Sequence, residues 1–279
     1  MFSRSGALLA QFLLTALFAL PAATVLALES PWAKADKSEV RLISAGSSDA
    51  DKSQRVGVDI RLARGWHTYW RYPGDAGIPP RLDWSGSTNL ASAEIRWPAP
   101  RRILVEGGIE SIGYTDGVLF PVIVRPVDTT KPIALRLKID FGVCEKICIP
   151  ASARLALDIP PESGKQNAAL EAAEARVPLA PKPGDTVPRV IGSKLQPGKP
   201  PQALIEVAVA SGKSIDLFAE GPTGDWALPL PKLVEHKGGR ARFSLTLEGA
   251  PTGTGPIPPK LRLTLISGND AIESLVPLD

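Results

Sequence analysis

Two cysteines occur in the 279 residues, Cys144 and Cys148, within the stretch Phe141-Gly142-Val143-Cys144-Glu145-Lys146-Ile147-Cys148-Ile149-Pro150. Sulfurs at this spacing can join as a disulfide, exchange with a partner's thiolate, or share a soft metal ion. Histidine is equally scarce, with His67 and His236 only. Two cysteines without further ligands cannot complete a tetrahedral zinc site. No nucleophile–base pairing and no phosphate-binding loop stands out elsewhere, so nothing points to hydrolase chemistry.

The elements that must position the sulfurs are legible on either side. Ile133, Leu135, Leu137, Ile139, Phe141 and Val143 alternate with Arg136, Lys138 and Asp140; Ala151, Ala153, Leu155, Leu157 and Ile159 alternate with Ser152, Arg154 and Asp158. Period-two alternation across a short break predicts a β-hairpin with one buried face. With Glu145-Lys146-Ile147 as a three-residue turn, Cys144 faces Cys148, and the Cα atoms come within roughly 4.5–5.5 Å, inside disulfide range. Along one extended strand they would stand roughly 13 Å apart. A helical turn would also bring them together, but Gly142 and Pro150 disfavour a helix here. Both cysteines fall on the even, polar side, which predicts a disulfide near the surface at a hairpin tip. Lys146 favours thiolate and Glu145 opposes it. A bridge across so short a loop removes little entropy from the unfolded chain, which makes it a weak staple. From these residues alone, exchange, stapling and metal ligation all stay open.

The length suggests two domains. A hydrophobic fraction of 44%, a charged fraction of 22% and a net charge of +3 describe a globular chain too mildly basic to suggest nucleic acid. With 28 prolines, 25 glycines and scarce helical patterns, many short strands are expected. Ser3 to Leu28 reads as an export signal: Arg4 precedes an apolar run, Pro21 breaks it, and Val25-Leu26-Ala27 offers a cleavage site after Ala27. An uncleaved membrane anchor is the alternative. The compartment is then extracytoplasmic and permits disulfides.

Strands are expected around Val40 to Ile43, Val56 to Leu62 and Gly65 to Tyr72. In the last, Trp66 and Trp70 face the core and His67 and Tyr69 the other side. A Pro- and Gly-rich loop runs from Pro73 to Pro80. Val105 to Tyr114 reads as a flexible loop, and Val118 to Val127 as a strand whose Pro121 suggests an edge or a bulge.

Gly65-Trp66-His67-Thr68-Tyr69-Trp70 with Pro73-Gly74-Asp75, followed by the cysteine stretch through Pro150, resembles the N-terminal periplasmic domain of the DsbD thiol:disulfide interchange proteins, in particular the ScsB-like branch. The resemblance covers roughly residues 30 to 160 and extends more weakly beyond. It implies an immunoglobulin-like β-sandwich with no cofactor beyond a redox-active disulfide, Cys144–Cys148. Its partners would be a membrane-embedded electron donor and periplasmic thioredoxin-like or Dsb-type oxidoreductases. It further implies supporting roles for His67 and Tyr69, and a shielding cap in the loop that holds Gly107, Gly108, Ile109, Glu110, Ser111, Ile112 and Gly113. The family's membrane conduit and thioredoxin-like domain have no counterpart before Asp279, so a separately encoded donor of the DsbD type is expected.

The expected fold is all-β: two immunoglobulin-like β-sandwich domains joined by a Pro-rich linker with a short helix. The expected boundaries are a signal peptide at 1–27, the redox sandwich at 28–160, the linker at 161–201 with a helix near Asn167 to Arg176, and a smaller sandwich at 202–279. The second domain shows no acid–base constellation, and His236 is expected in an exposed turn. The leading reading is an exported thiol–disulfide oxidoreductase component located in the periplasm. The alternatives are a binding module with a structural disulfide, and a copper-binding or copper-stress protein using Cys144, Cys148 and His67.

Overall fold

The computed structural model describes residues 28–47, 52–74, 76–105, 108–161, 166–255 and 257–278. The signal, its cleavage site, Asp75 and Gly107 lie outside the described residues. The chain is nearly all β. One five-stranded sheet contains β1 (Ala33–Ala35), β2 (Ser38–Ser47), β3 (Gln54–Leu62), β9 (Gly117–Pro126) and β6 (Leu90–Ile95), in that order. A second sheet runs β11 (Cys148–Ile159), β10 (Ile133–Cys144), β4 (His67–Gly74), β8 (Glu110–Thr115) and β7 (Arg101–Leu104), and β5 (Arg81–Asp83) also pairs with β10. The odd-numbered apolar residues of β10 meet Val40, Leu42, Val58, Phe120 and Trp70 in one buried cluster. This is the alternation of the sequence converted into a core.

Two further sheets follow. One orders β12 (Arg189–Gln196), β13 (Gln202–Ala208), β16 (Arg240–Thr246) and β15 (Lys232–Lys237). The other orders β14 (Ile215–Glu220), β17 (Lys260–Ser267) and β18 (Asp270–Pro277). Their core centres on Ile205, Val207, Phe243, Leu245, Leu263 and Leu265.

Several expectations are corrected. Glu110–Thr115 is a strand and not a flexible loop, because Ile112 and Tyr114 alternate into the core. Only residues around Gly108 and Ile109 remain at the hairpin tip, closed by Val105 N–H donating to the Ile109 carbonyl at 2.9 Å. β9 is no edge, since β3 and β6 flank it; Pro121 falls just past the last β6 pair, Ile95 with Val122. The segment read as a connector contains a strand, β12, paired along β13. His236 lies in β15, exposed as expected but in a strand and not a turn.

The short helix α1 (Ala168–Glu174) is present and docked. Asn167 caps it by accepting from the amides of Ala169 and Leu170. Leu170 is fully buried against Ile43 and Ala45, and Glu174 pairs with Arg55.

The later strands also pack on the earlier ones. Phe218 of β14 and Leu230 belong to the first core, with the Phe218 ring 6.0 Å from that of Trp70. Arg71 of β4 donates to Glu220 at 2.9 Å and 2.6 Å and also pairs with Glu273, and the Tyr72 hydroxyl donates to the Leu228 carbonyl. Emptying the Phe218 site therefore damages both halves. Phe218→Ala is expected to cost about 3–5 kcal/mol in denaturant unfolding, as for other buried phenylalanines.

Candidate functional site

The cysteine hairpin forms in the register that the alternation predicts. β10 and β11 pair without interruption from Ile133 with Ile159 to Cys144 with Cys148, leaving Glu145-Lys146-Ile147 as the turn. Cys144 and Cys148 are joined by a disulfide, with Cα atoms 4.2 Å apart. β4 lies on the other side of β10, where His67 faces Cys144 and Thr68 faces Val143. The Thr68 hydroxyl donates to the Gly142 carbonyl at 2.8 Å, which ties the two strands just before the disulfide.

The even side of β10 changes character along its length. Arg136 and Lys138 are exposed, whereas Gly142 and Cys144 are buried. The covering segment is residues 76–80, which folds back so that Gly142 N–H donates to the Ile78 carbonyl at 3.0 Å. A methyl group at Gly142 would stand 2.9 Å from Ile78 Cβ and 2.9 Å from Tyr69 Cε2. Only glycine admits this approach. Gly77 likewise has its Cα against the Tyr69 ring, leaving no room for a side chain. The site is therefore half sealed, where the alternation predicted an open polar face. Cys144 is 4% exposed, while Cys148 and the turn residues, including Ile147, are exposed.

His67 and Tyr69 are both buried, the latter beneath Gly77 and Gly142. Their rings meet edge to face, 5.5 Å apart. The Tyr69 hydroxyl reaches Cys148 Sγ at 3.0 Å. A disulfide sulfur carries no proton, so the hydroxyl is the donor. Burial pushes the Tyr69 hydroxyl's pKa up, which keeps it protonated at neutral pH. Burial holds the His67 imidazole below its ordinary pKa, and its Nε2 finds no hydrogen-bond partner among the described residues.

The residues expected in a cap loop are spread by the structure. Ser111 is buried and donates from its hydroxyl to the Ala76 carbonyl at 3.1 Å, pinning the start of the covering segment. Ile112 is in the core and Glu110 pairs with Arg102. Gly108 and Ile109 occupy the tip, where Ile109 is exposed. A pocket of about 320 Å³ at the cysteine turn has Ile103, Leu104 and Val105 of this hairpin on one side and His67, Glu145 and Lys146 on the other. Among the described residues no cluster of three His, Cys, Asp or Glu side chains is arranged to hold a metal. Cys144 and Cys148 are joined to each other here, so neither sulfur is free to ligate copper in this oxidised form. Sequence reasoning missed Ile78 and Gly77 as the cover. Gly142, a glycine inside an otherwise apolar-alternating strand, was the available signal of a close approach.

Residues 38–160 match the family model described as thiol:disulfide interchange protein DsbD, N-terminal. A domain of the thiol:disulfide interchange type therefore lies over this segment, and such domains work through a redox-active cysteine pair and not a cofactor. The fold is similar to the crystal structure of the N-terminal periplasmic domain of ScsB from Proteus mirabilis, with a TM-score of 0.69 and 21% identity over 91% of this chain and 100% of that one. No curated protein matches the chain. No helix among the described residues is long and apolar enough to cross a membrane.

The Tyr69 hydrogen bond gives a direct test. A donor aimed at a thiolate is worth about 1.5–3 kcal/mol, so Tyr69→Phe is expected to raise the Cys148 thiol pKa by about one unit or more in the reduced protein. The pH dependence of Cys148 alkylation, measured in a Cys144→Ala background, checks this.

Proposed function

We propose that this chain is an exported thiol–disulfide interchange protein that passes reducing equivalents from a membrane-embedded donor of the DsbD type to periplasmic thioredoxin-like or Dsb-type oxidoreductases. The observation that carries this reading is the asymmetry of the disulfide: Cys148 is exposed and held by a tyrosine hydroxyl, and Cys144 is buried behind it. A staple that closes three residues gives little stability, so stability does not account for it. The match of residues 38–160 to an interchange domain supports the same reading.

In the reducing half-reaction a donor thiolate attacks Cys148 Sγ. A sulfur–sulfur bond forms between donor and Cys148, and Cys144 leaves as a thiolate and takes a proton. The donor's second thiolate attacks its own sulfur in the mixed disulfide and releases Cys148. The donor dithiol has become a disulfide, the Cys144–Cys148 disulfide has become a dithiol, and two electrons have moved. In the second half-reaction the Cys148 thiolate attacks an acceptor disulfide, and Cys144 resolves the mixed disulfide. Tyr69 donates to the Cys148 thiolate. His67, opposite Cys144 in the ladder, is kept neutral by burial, so its ring nitrogen can accept a hydrogen bond from the Cys144 thiol without taking the proton.

The two pairs of sheets support two immunoglobulin-like sandwiches, the first over 28–160 and the second extended back from 202 by β12. The similar ScsB domain is described as periplasmic, which supports that location together with the export signal read at 1–27.

Covalent trapping tests the reading. Cys144→Ala should accumulate a mixed disulfide with a thioredoxin-type protein whose second cysteine is replaced and whose remaining cysteine is activated as an aryl disulfide, because exposed Cys148 displaces the aryl thiolate and neither protein keeps a second thiol to resolve the product. Cys148→Ala should give far less. Absence of a complex with either variant, seen on non-reducing gels, would overturn it.

A further inference from the structure

The strand that carries Cys148 is also a free edge. β11 begins the order of its sheet, and no described strand pairs with its outer side. Which of its backbone groups face outward follows from β10. Ala134 exchanges hydrogen bonds with Thr88, the Arg136 amide donates to the Ser87 hydroxyl, and the Gly142 amide donates to the Ile78 carbonyl, all on the side away from β11. Even-numbered residues of β10 therefore turn from β11, and odd-numbered ones bond to it. The residues opposite them in β11 alternate in step, even with even. Hence Ser152, Arg154, Ala156 and Asp158 direct their amides and carbonyls out of the sheet. Pro150 lies in the same row, where the missing N–H costs the ladder nothing. A second proline, Pro160, bounds the row at its other end.

The side chains of this edge complement a second copy of themselves. Arg154 is exposed, makes no ion pair among the described residues, and stands opposite another cation, Lys138. The Asp158 side chain is 70% exposed on the same face and gives one carboxylate oxygen to Arg136. Two copies of β11 can meet in antiparallel fashion only with their outward rows aligned. Centred on Ala156, the pairing sets Arg154 of each copy opposite Asp158 of the other. The small Ala156 side chains then meet on the two-fold axis, and Leu155 continues the apolar face into Leu157 of the other copy. Centred on Arg154, the same strands would press two guanidiniums together, which is unfavourable.

We propose that β11 is a self-association edge, through which two copies of this chain join their sheets antiparallel about Ala156. The contact is isologous, so it closes on itself and hides an edge that would otherwise pair without limit. It goes beyond the exchange reading. Cys148 lies eight residues before Ala156 on each strand, so the dimer carries its two disulfides at opposite ends, roughly 50 Å apart. Each then meets its own partner.

Sedimentation velocity of the oxidised protein, from micromolar to near-millimolar concentration, tests this. Wild type is expected to pass from monomer to dimer. Arg154→Asp sets two carboxylates together twice, and Asp158→Arg two guanidiniums twice; each is expected to weaken association by about tenfold or more. An equimolar mixture of these two variants restores both opposite-charge pairs and should form a heterodimer. Ala156→Pro removes the two amides on the axis, in a row that already admits Pro150, and should abolish the dimer. Thermal unfolding of each variant separates lost association from lost folding. Wild type that stays monomeric throughout would overturn the proposal. So would a dimer indifferent to these substitutions, or folded charge variants whose mixture remains monomeric. No thiol reaction enters the measurement, so a failure to trap an exchange partner would leave its outcome unchanged.

Discussion

The close approach at Gly142 is the constraint on which the exchange end depends. Because that position carries no side chain, the segment around Ile78 and the ring of Tyr69 lie directly on β10. Two residues on, Cys144 is buried, and the Tyr69 hydroxyl reaches Cys148. The difference in exposure between the two cysteines leaves one accessible electrophilic sulfur and one shielded leaving group. In thiol exchange the attacked sulfur is the accessible one, and the leaving thiol must stay close to react back. Both conditions follow from packing alone.

β4 serves two ends at once. Its residues His67 and Tyr69 stand at the disulfide, and Trp70, Arg71 and Tyr72 meet the later half of the chain through Phe218, Glu220 and Leu228. Alternation puts Trp70 and Tyr72 on the face opposite His67 and Tyr69, and Arg71 reaches the later half where the β4–β8 register breaks after Tyr69. The chemistry and the docking therefore share one backbone, and Ser111 on the neighbouring strand fastens the covering segment to it.

The hairpin was legible in the sequence down to its register, because a one-residue slip would have put every apolar side chain of β10 in water. The aromatic cluster at 66–72 was legible as a strand for the same reason. What escaped was everything made by distant residues. Alternation put Cys144 with the exposed Arg136 and Lys138, whereas residues 76–80 return onto this face at Gly142 and Cys144 is buried. The glycines at 107, 108 and 113 suggested a loose loop. Their neighbours Ile112 and Tyr114 instead find core partners, and Gly113 gives β8 its close passage along β4. The strand at 189–196 was hidden among prolines, since its partner β13 supplies the pairing that its own composition does not advertise. Ion pairs such as Arg102 with Asp216, 114 positions apart, leave no local signal at all.

The most direct measurement is the redox equilibrium of the pair itself. Oxidised protein would be incubated with a reduced thioredoxin-type protein at graded ratios, and the free thiols counted by alkylation and intact mass. The account requires Cys144 and Cys148 to come to equilibrium with the added protein, each reduced pair appearing as one partner disulfide forms. A pair that stayed oxidised at every ratio while the added protein remained a dithiol would contradict it.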